Sequence, residues 1–359
     1  MSSKHPLKRT AVTVFALGAS AALLVACSEP SEDVSTAETT TASSSANASD
    51  AAGEKVTITV YTSEPEEKVD EINKAFMEAN PDIEVEVYRA GTGDLTARIE
   101  AEKASGSIEA DVLWAADAAT FETYAAQGDL AELEDVDTSD IIEEALDAEN
   151  FYVGTRIIPT VIAYNTEVVD QAELPTSWAD LTDPKYAGQL VMPDPAVSGA
   201  AAFNASVWKN DPALGEAWIT ALGENQPMIA QSNGPTSQEI AGGGHPVGIV
   251  VDYLVRDLAA AGSPIDTIYA SEGSPYITEP AGVFADSEKK EAAERYINFL
   301  LSVEGQEIAV EQAYLPVRED VGTPEGTPEL TDIELMTPDL EVVTADKAAA
   351  VEFFQNAMN

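Results

Sequence analysis

From Val56 onward, runs of β-branched residues alternate with stretches whose apolar residues recur every three or four positions, and few folds accept that rhythm. Val56–Tyr61 is a β-branched run. Thr62-Ser63-Glu64-Pro65 follows, where Ser63 suits a helix N-cap and Pro65 is tolerated in the first turn. Val69, Ile72 and Phe76 then mark one helical face, which Asn80-Pro81 ends. Ile83, Val85 and Val87 alternate with Glu84 and Glu86, the pattern of a half-buried strand. Gly91-Thr92-Gly93-Asp94 turns the chain into a second helix through Leu95 and Ile99. Asp111–Ala115 supplies a third strand, and Phe121 with Tyr124 a third helix. Three strands separated by helices predict a parallel sheet with right-handed crossovers.

A second region of this kind follows Arg156. Ile157–Tyr164 is a long extended stretch interrupted by Pro159, read as a crossing between domains. Leu190–Met192, Met228–Ala230 and Val247–Val251 are apolar strands, with helices around Ala201–Trp208 and Leu214–Leu222. Ile265–Tyr269 and Tyr276–Phe284 are extended, the latter a candidate return crossing. Helices dominate the remainder, over Glu288–Leu301, Glu304–Ala313 and Ala345–Met358. No repeat of fixed period is visible. The expected layout is two α/β lobes, residues 56–156 with 282–330 in the first and 157–281 in the second. Residues 331–359 form a helical segment packing on the body.

The first 27 residues read differently. Lys4, Lys8 and Arg9 precede an uncharged apolar run from Ala11 to Ala26, about 24 Å as a helix and marginal for a ~30 Å hydrocarbon core. Residues 1–27 are expected to be a secretory signal, and Leu24-Val25-Ala26-Cys27 resembles the bacterial lipobox, whose cysteine becomes the lipidated N-terminus. Residues 28–55, rich in Ser, Thr and Ala, carry no apolar periodicity and are expected to be a disordered tether. The expected location is extracytoplasmic, lipid-anchored to the cell membrane.

Composition removes several functions. The 64 acidic against 18 basic residues give a formal charge of −46, which repels phosphate backbones and excludes nucleic acid as a partner. A single cysteine excludes a disulfide framework and a cysteine-rich zinc site. Of two histidines, His5 falls in the leader and His245 in the loop Gly242-Gly-Gly-His-Pro. With no Gly-x-Ser-x-Gly elbow and no His-x-x-x-His, catalysis lacks its residues, and the protein is read as a non-enzyme.

Local motifs carry a resemblance. Pro175-Thr-Ser-Trp178-Ala-Asp180-Leu181, with Asp183-Pro-Lys-Tyr-Ala-Gly188 after it, resembles a signature of bacterial extracellular solute-binding proteins. Met192-Pro-Asp-Pro-Ala-Val-Ser198-Gly199-Ala200, Phe299-Leu-Leu-Ser302-Val-Glu-Gly-Gln306 and Tyr314-Leu-Pro-Val-Arg318 continue it in order. The likeness runs from Val56 to about Arg318. It is closest to the branch with ferric-iron, phosphonate, sugar-phosphate, thiamine and polyamine binders of ABC importers. It implies a type II periplasmic-binding-protein-like α/β fold, each lobe a mixed sheet flanked by helices, with the ligand cleft at the hinge. It also implies a monomeric receptor with no resident cofactor, delivering a small solute to an ABC permease and its ATPase subunits. Trp178 and the segment ending at Gln306 are read as packing features.

In open α/β sheets ligands collect beyond the carboxyl ends of the strands, where helix N-termini offer N–H groups to anions. The candidates at such junctions are Thr62, Ser63, Glu64, Thr92, Gly93 and Asp117 in the first lobe. In the second they are Ser198, Gly199, Ala200, Asn233, Asp252 and Tyr253. Ser63 and Ser198 would equally serve as plain N-caps, and Tyr253 as a core residue. The hydroxyl and glycine turns favour an oxyanion such as a phosphonate or sugar phosphate. Ferric members of the branch carry two adjacent tyrosines, whereas here Val250-Val251-Asp252-Tyr253-Leu254 has one, preceded by an aspartate. Glu64, Asp117, Asp252 and Tyr253 nevertheless remain a possible oxygen set for Fe(III) as the transported ligand. Thiamine and polyamines follow. Net charge does not decide among them.

Replacing Cys27 removes the only thiol that could carry a lipid. Cys27→Ala is expected to move the protein from the membrane to the soluble fraction. Pelleting with membranes after a salt wash would place the anchor elsewhere.

Overall fold

A computed structural model describes residues 55–359. The expected leader with Cys27, and the tether apart from Lys55, lie outside the described residues. Residues 55–359 belong to one compact unit. Its first half runs β1 (Val56–Thr62), α1 (Glu66–Ala79), β2 (Ile83–Arg89), α2 (Thr92–Ser105), β3 (Val112–Trp114), α3 (Ala118–Gln127) and β4 (Val153–Gly154). There follow β5 (Ile158–Asn165), β6 (Leu190–Pro193), α4 (Gly199–Asn210), α5 (Gly215–Glu224), β7 (Met228–Ala230), α6 (Asn233–Gly242), β8 (Val247–Val251) and α7 (Asp252–Ala260). The chain ends with β9 (Ile265–Ile268), β10 (Tyr276–Ile277), β11 (Pro280–Val283), α8 (Lys290–Leu301), α9 (Val303–Glu311) and α10 (Leu340–Met358).

These elements form two mixed sheets. The first has the order β2-β1-β3-β11-β4, with β1 parallel to β2 and β3, and β11 antiparallel to β3 and β4. The second has the order β10-β5-β8-β6-β7, with β9 also pairing with β5. Ile58 and Val60 of β1 pack against Val69, Ile72 and Phe76, so the helical stripe read from the sequence does meet a sheet. Ile83 of β2 is buried, but Val87 is 37% exposed, because β2 is an edge strand whose far half has no layer over it. Trp178 is fully buried, and its Nε1 donates to Gly273 O at 2.7 Å.

The start of α1 departs from expectation. Pro65, not Ser63, occupies the N-cap, with extended φ and ψ of −57° and 135°. Ser63 lies two residues upstream, and its Oγ instead accepts a hydrogen bond from Ala116 N at 3.1 Å, tying the ends of β1 and β3 together.

Two short crossings join the sheets. One runs from β4 to β5 through 155–157 and the other from β10 to β11 through 278–279. They are hydrogen-bonded to each other, Thr155 N and Arg156 N both donating to Thr278 O at 2.9 and 3.2 Å. All eight residues of β5 are buried, as a strand covered on both faces requires.

α10 spans the outside of both lobes. It packs on α4 and α5 of the second lobe and on α3 of the first. Ser206 Oγ donates to Val343 O at 2.8 Å and Lys209 pairs with Asp346 at 2.8 Å, while Lys347 pairs with Asp117 beside α3. Among the described residues no helix is long and apolar enough to cross a membrane. Gly223 of α5 lies against the backbone of Ala357, where a Cβ would collide with Ala357 O. Gly223→Ala should therefore lower stability by about 1–3 kcal/mol through overpacking, against the gain alanine normally brings to a helix. Urea denaturation checks the sign.

Candidate ligand cleft

The cleft between the lobes holds a cavity of about 590 Å³. Four helices begin on its walls. Pro65 precedes α1 and Thr92 opens α2 from the first lobe. Gly199 opens α4 and Asn233 opens α6 from the second, and all four positions line the cavity. The first turn of an α-helix has N–H groups without intrahelical acceptors and carries a partial positive charge of about half a unit. At α4 the Ser198 Oγ caps Ala201 N at 3.3 Å, while Gly199 and Ala200, also of that first turn, line the cavity. Arg89 sits on the rim, its Nε donating to Glu64 O at 2.9 Å, and Asp94 is an acidic residue on the same wall.

The lobes approach each other backbone to backbone. A Cβ on Gly93 would lie 2.6 Å from Ala196 O, and one on Gly199 would lie 2.5 Å from Ala116 O and 2.7 Å from Thr92 Oγ1. These glycines permit an approach that any side chain would block.

Of the sequence candidates, Ser63, Glu64, Thr92, Ser198, Gly199, Ala200, Asn233 and Tyr253 all line the cavity. Asn233 is also a brace, with Nδ2 donating to Ser198 Oγ at 2.9 Å and Oδ1 accepting from Val251 N at 3.3 Å. Four candidates are engaged elsewhere. Thr62 is fully buried, and its Oγ1 accepts from Glu64 N at 3.1 Å, bracing the turn after β1. Gly93 serves the interlobe contact rather than the cavity wall. Asp117 is buried under Lys347 and accepts from Thr120 Oγ1 at 2.5 Å. Asp252, fully buried, pairs with Arg256 at 2.6 Å one helical turn on, and burial still pushes its carboxyl up against that neighbour's opposing charge. The oxygen set Glu64, Asp117, Asp252 and Tyr253 is therefore not assembled. Among the described residues no group of three or more His, Cys, Asp or Glu side chains is placed to hold a metal. His245 pairs with Glu239 at 2.8 Å, away from the cavity.

The cleft floor is a buried ionic cluster that sequence inspection did not reveal. Arg156, on one crossing, is 1% exposed and lies between the rings of Trp114 and Tyr314, 4.7 and 4.2 Å from their centroids. Its Nη1 donates to Glu64 Oε2 at 2.7 Å, and Tyr314 Oη donates to the same oxygen at 3.0 Å. Glu279, on the other crossing, lines the cavity with its Oε2 3.5 Å from Arg156 Nε. Its φ of 44° is left-handed, which costs a residue with a Cβ about 1–3 kcal/mol. Burial and the neighbouring Glu64 hold the Glu279 carboxyl well above its ordinary range, against the pull of Arg156. Burial, then the Glu64 and Glu279 charges, likewise raise the Tyr253 phenol. Its ring lies 4.3 Å from that of Tyr314, with Lys68 Nζ 4.9 and 4.7 Å from the two centroids.

Residues 71–337 match the profile of the bacterial extracellular solute-binding proteins. The chain belongs to that family. Its members bind and transport, and those that serve ABC importers work with a permease and an ATPase. Over 211 residues this solute-binding protein is 29% identical to the spermidine/putrescine-binding periplasmic protein of Escherichia coli. That alignment spans 56% of each chain, so the chain spans about half the length of that relative. Its fold is similar to iron-bound HitA of Pseudomonas aeruginosa, with a TM-score of 0.76, 22% identity, and 84% of this chain and 99% of that one covered. It is also similar to AfuA of Actinobacillus pleuropneumoniae with fructose-6-phosphate bound, with a TM-score of 0.75, 22% identity, and 85% and 99% covered. At these identities the two structures establish the type II periplasmic-binding-protein fold.

The cluster makes two stability predictions. Arg156→Met leaves the buried Glu64 carboxylate without its counter-charge and should cost about 3–5 kcal/mol in urea denaturation. The Glu279 contribution is complete below the ordinary glutamate value of 4.5 and is lost as pH rises toward its higher folded value, since the native state holds the proton longer. Glu279→Gln mimics the protonated form, so the variant should gain stability over wild type as pH rises above that value. Parallel pH profiles of the two proteins would contradict this.

Proposed function

We propose that this protein is the extracytoplasmic receptor of an ABC-type importer, tethered through a lipid on Cys27, and that its solute carries a phosphate, phosphonate or related oxyanion. The observation that carries the reading is the convergence of four helix N-termini, at Pro65, Thr92, Gly199 and Asn233, on one cavity with Arg89 at its rim. Each helix start presents orphan N–H donors, and together they hold an anion with fixed dipoles that need little reorganisation. Of the carboxylates on that wall, Glu64 beside Ser63 is paired with Arg156 at 2.7 Å, which offsets its charge. AfuA, of the same fold, has a sugar phosphate bound.

Ferric iron is the second reading. Tyr253 and Tyr314 are distant in sequence, but their rings meet at 4.3 Å with a 44° tilt beside Glu64, and HitA was solved with iron. Against it, the surroundings raise both phenols, with burial the first cause and the Glu64 charge next. An iron ion would have to remove both protons in a neighbourhood that already holds two acids. The polyamine reading rests on the similarity to spermidine/putrescine-binding relatives such as that of Escherichia coli.

The reading is tested with the soluble, acyl-free protein against inorganic phosphate, phosphonates, fructose 6-phosphate, Fe(III), thiamine and spermidine. An oxyanion solute at a hundred times its Kd should add about 2.7 kcal/mol to stability. Arg89→Ala should weaken it about tenfold, the worth of one charge-assisted hydrogen bond, while Tyr253→Phe should cost at most one neutral one. Tightly bound iron with a visible tyrosinate band that Tyr253→Phe bleaches would instead establish the ferric reading.

A further inference from the structure

The chain passes between the lobes a third time, outside the cleft. Leu315, Val317 and Ile333 belong to the first-lobe core, whereas Met336, Val343 and Phe354 belong to that of the second. The passage lies at 334–336, where Ser274 N donates to Glu334 O at 2.8 Å and Met336 N to Ser274 O at 2.9 Å. Beyond it α10 is fixed to the second lobe. Ser206 and Lys209 of α4 hold Val343 and Asp346, Gln355 Nε2 donates to Asp194 Oδ1 at 3.1 Å, and Ala357 lies against Gly223 of α5.

One side chain of α10 reaches the other way. Lys347 Nζ pairs with Asp117, just before α3 of the first lobe, and donates to Thr120 Oγ1 at 3.0 Å. Asp117 is 1% exposed, its Oδ1 has no hydrogen-bond partner, and Lys347 is the one cation paired with it among the described residues. A buried carboxylate that loses its counter-charge is strongly disfavoured until water reaches it. Lys68 of α1 and Asp257 of α7 also pair between the lobes, at 2.8 Å, but the Asp257 side chain is 37% exposed and water can stand in for the lysine. Asp117 directly follows Ala116, whose carbonyl meets Gly199 of α4 where the lobes touch. Separating the lobes at that contact carries α4, with α10 fixed on it, away from α3.

We infer that Lys347 and Asp117 form a closure latch, an ion pair made only when the lobes are together, through which the C-terminal helix sets the balance between closed and open receptor. The latch adds no contact to the solute. It acts on the population of the form that grips one, so it scales the affinity for every solute alike.

The test uses the acyl-free chain without solute. In Asp117→Cys/Lys347→Cys, built on Cys27→Ala so that no other thiol is present, the latch is missing until bismaleimidoethane joins the two thiols. Small-angle scattering should give the unlinked chain a larger radius of gyration than the linked one. Lys347→Met, which keeps Asp117, should match the unlinked chain. Asp346→Asn, which loosens α10 on the second lobe alone, should match wild type. Equal profiles of the linked and unlinked chains overturn the latch, as does a Lys347→Met profile equal to that of the linked chain. Expansion of Asp346→Asn beyond wild type also overturns it. So does loss of amide protection along α10 in Lys347→Met, since the helix would then have left the second lobe. Each of these failures leaves the oxyanion reading standing, because no solute enters the test.

Discussion

Arg156 lies where the chain passes from one sheet to the other, and water does not reach it. A guanidinium in that position is unfavourable unless surrounded by charge and π-electron density, and the fold supplies both. Trp114 ends β3, Glu64 follows β1, Tyr314 follows α9, and Glu279 lies on the return crossing. Four segments from across the sequence must therefore arrive together before the charge is compensated. Gln306 fastens the same region, its Nε2 donating to Thr155 O and Leu300 O at 2.7 Å, its Oε1 accepting from Val317 N at 2.8 Å. The segment that resembled a family signature thus braces the hinge rather than the solute.

That arrangement links the fold to binding. The crossings that carry Arg156 and Glu279 are also the floor of the cleft, so any ligand group reaching the floor meets the residues that join the lobes. The walls meet by a different device. Gly93 and Gly199 let backbone touch backbone across the cleft, and α10 ties both lobes from outside through Lys347 and Asp346. Asp117 belongs to this outer tie. Its position directly after β3 made it look like a ligand residue, but Lys347 arrives from 230 residues away to take its charge.

Legibility followed the physical origin of each signal. The stripe Val69, Ile72, Phe76 repeats with the helical period, so it announced α1 without reference to anything else. α6 escaped notice because Asn233–Gly242 has Ile240 as its only large buried apolar residue. Its helical state is set by packing against β5, β6 and β8. Ser63 was misread for a related reason. Local sequence favours it as a cap, but the nearby β3 end offers Ala116 N, and Pro65 takes the cap position by its fixed φ.

By itself the sequence determined the two α/β regions, the strand–helix junctions that line the cavity, and the scarcity of histidine. All of these depend on neighbours along the chain or on counting residue types. Only the tertiary structure decided which junction residues share the cleft. It turned Asp117 and Asp252 away into ion pairs, brought Tyr253 against Tyr314, and set Glu279 beside Arg156. Charges compensate through space, and a carboxylate's partner is whichever cation the packed elements bring within a few ångströms, however far away it lies in the sequence.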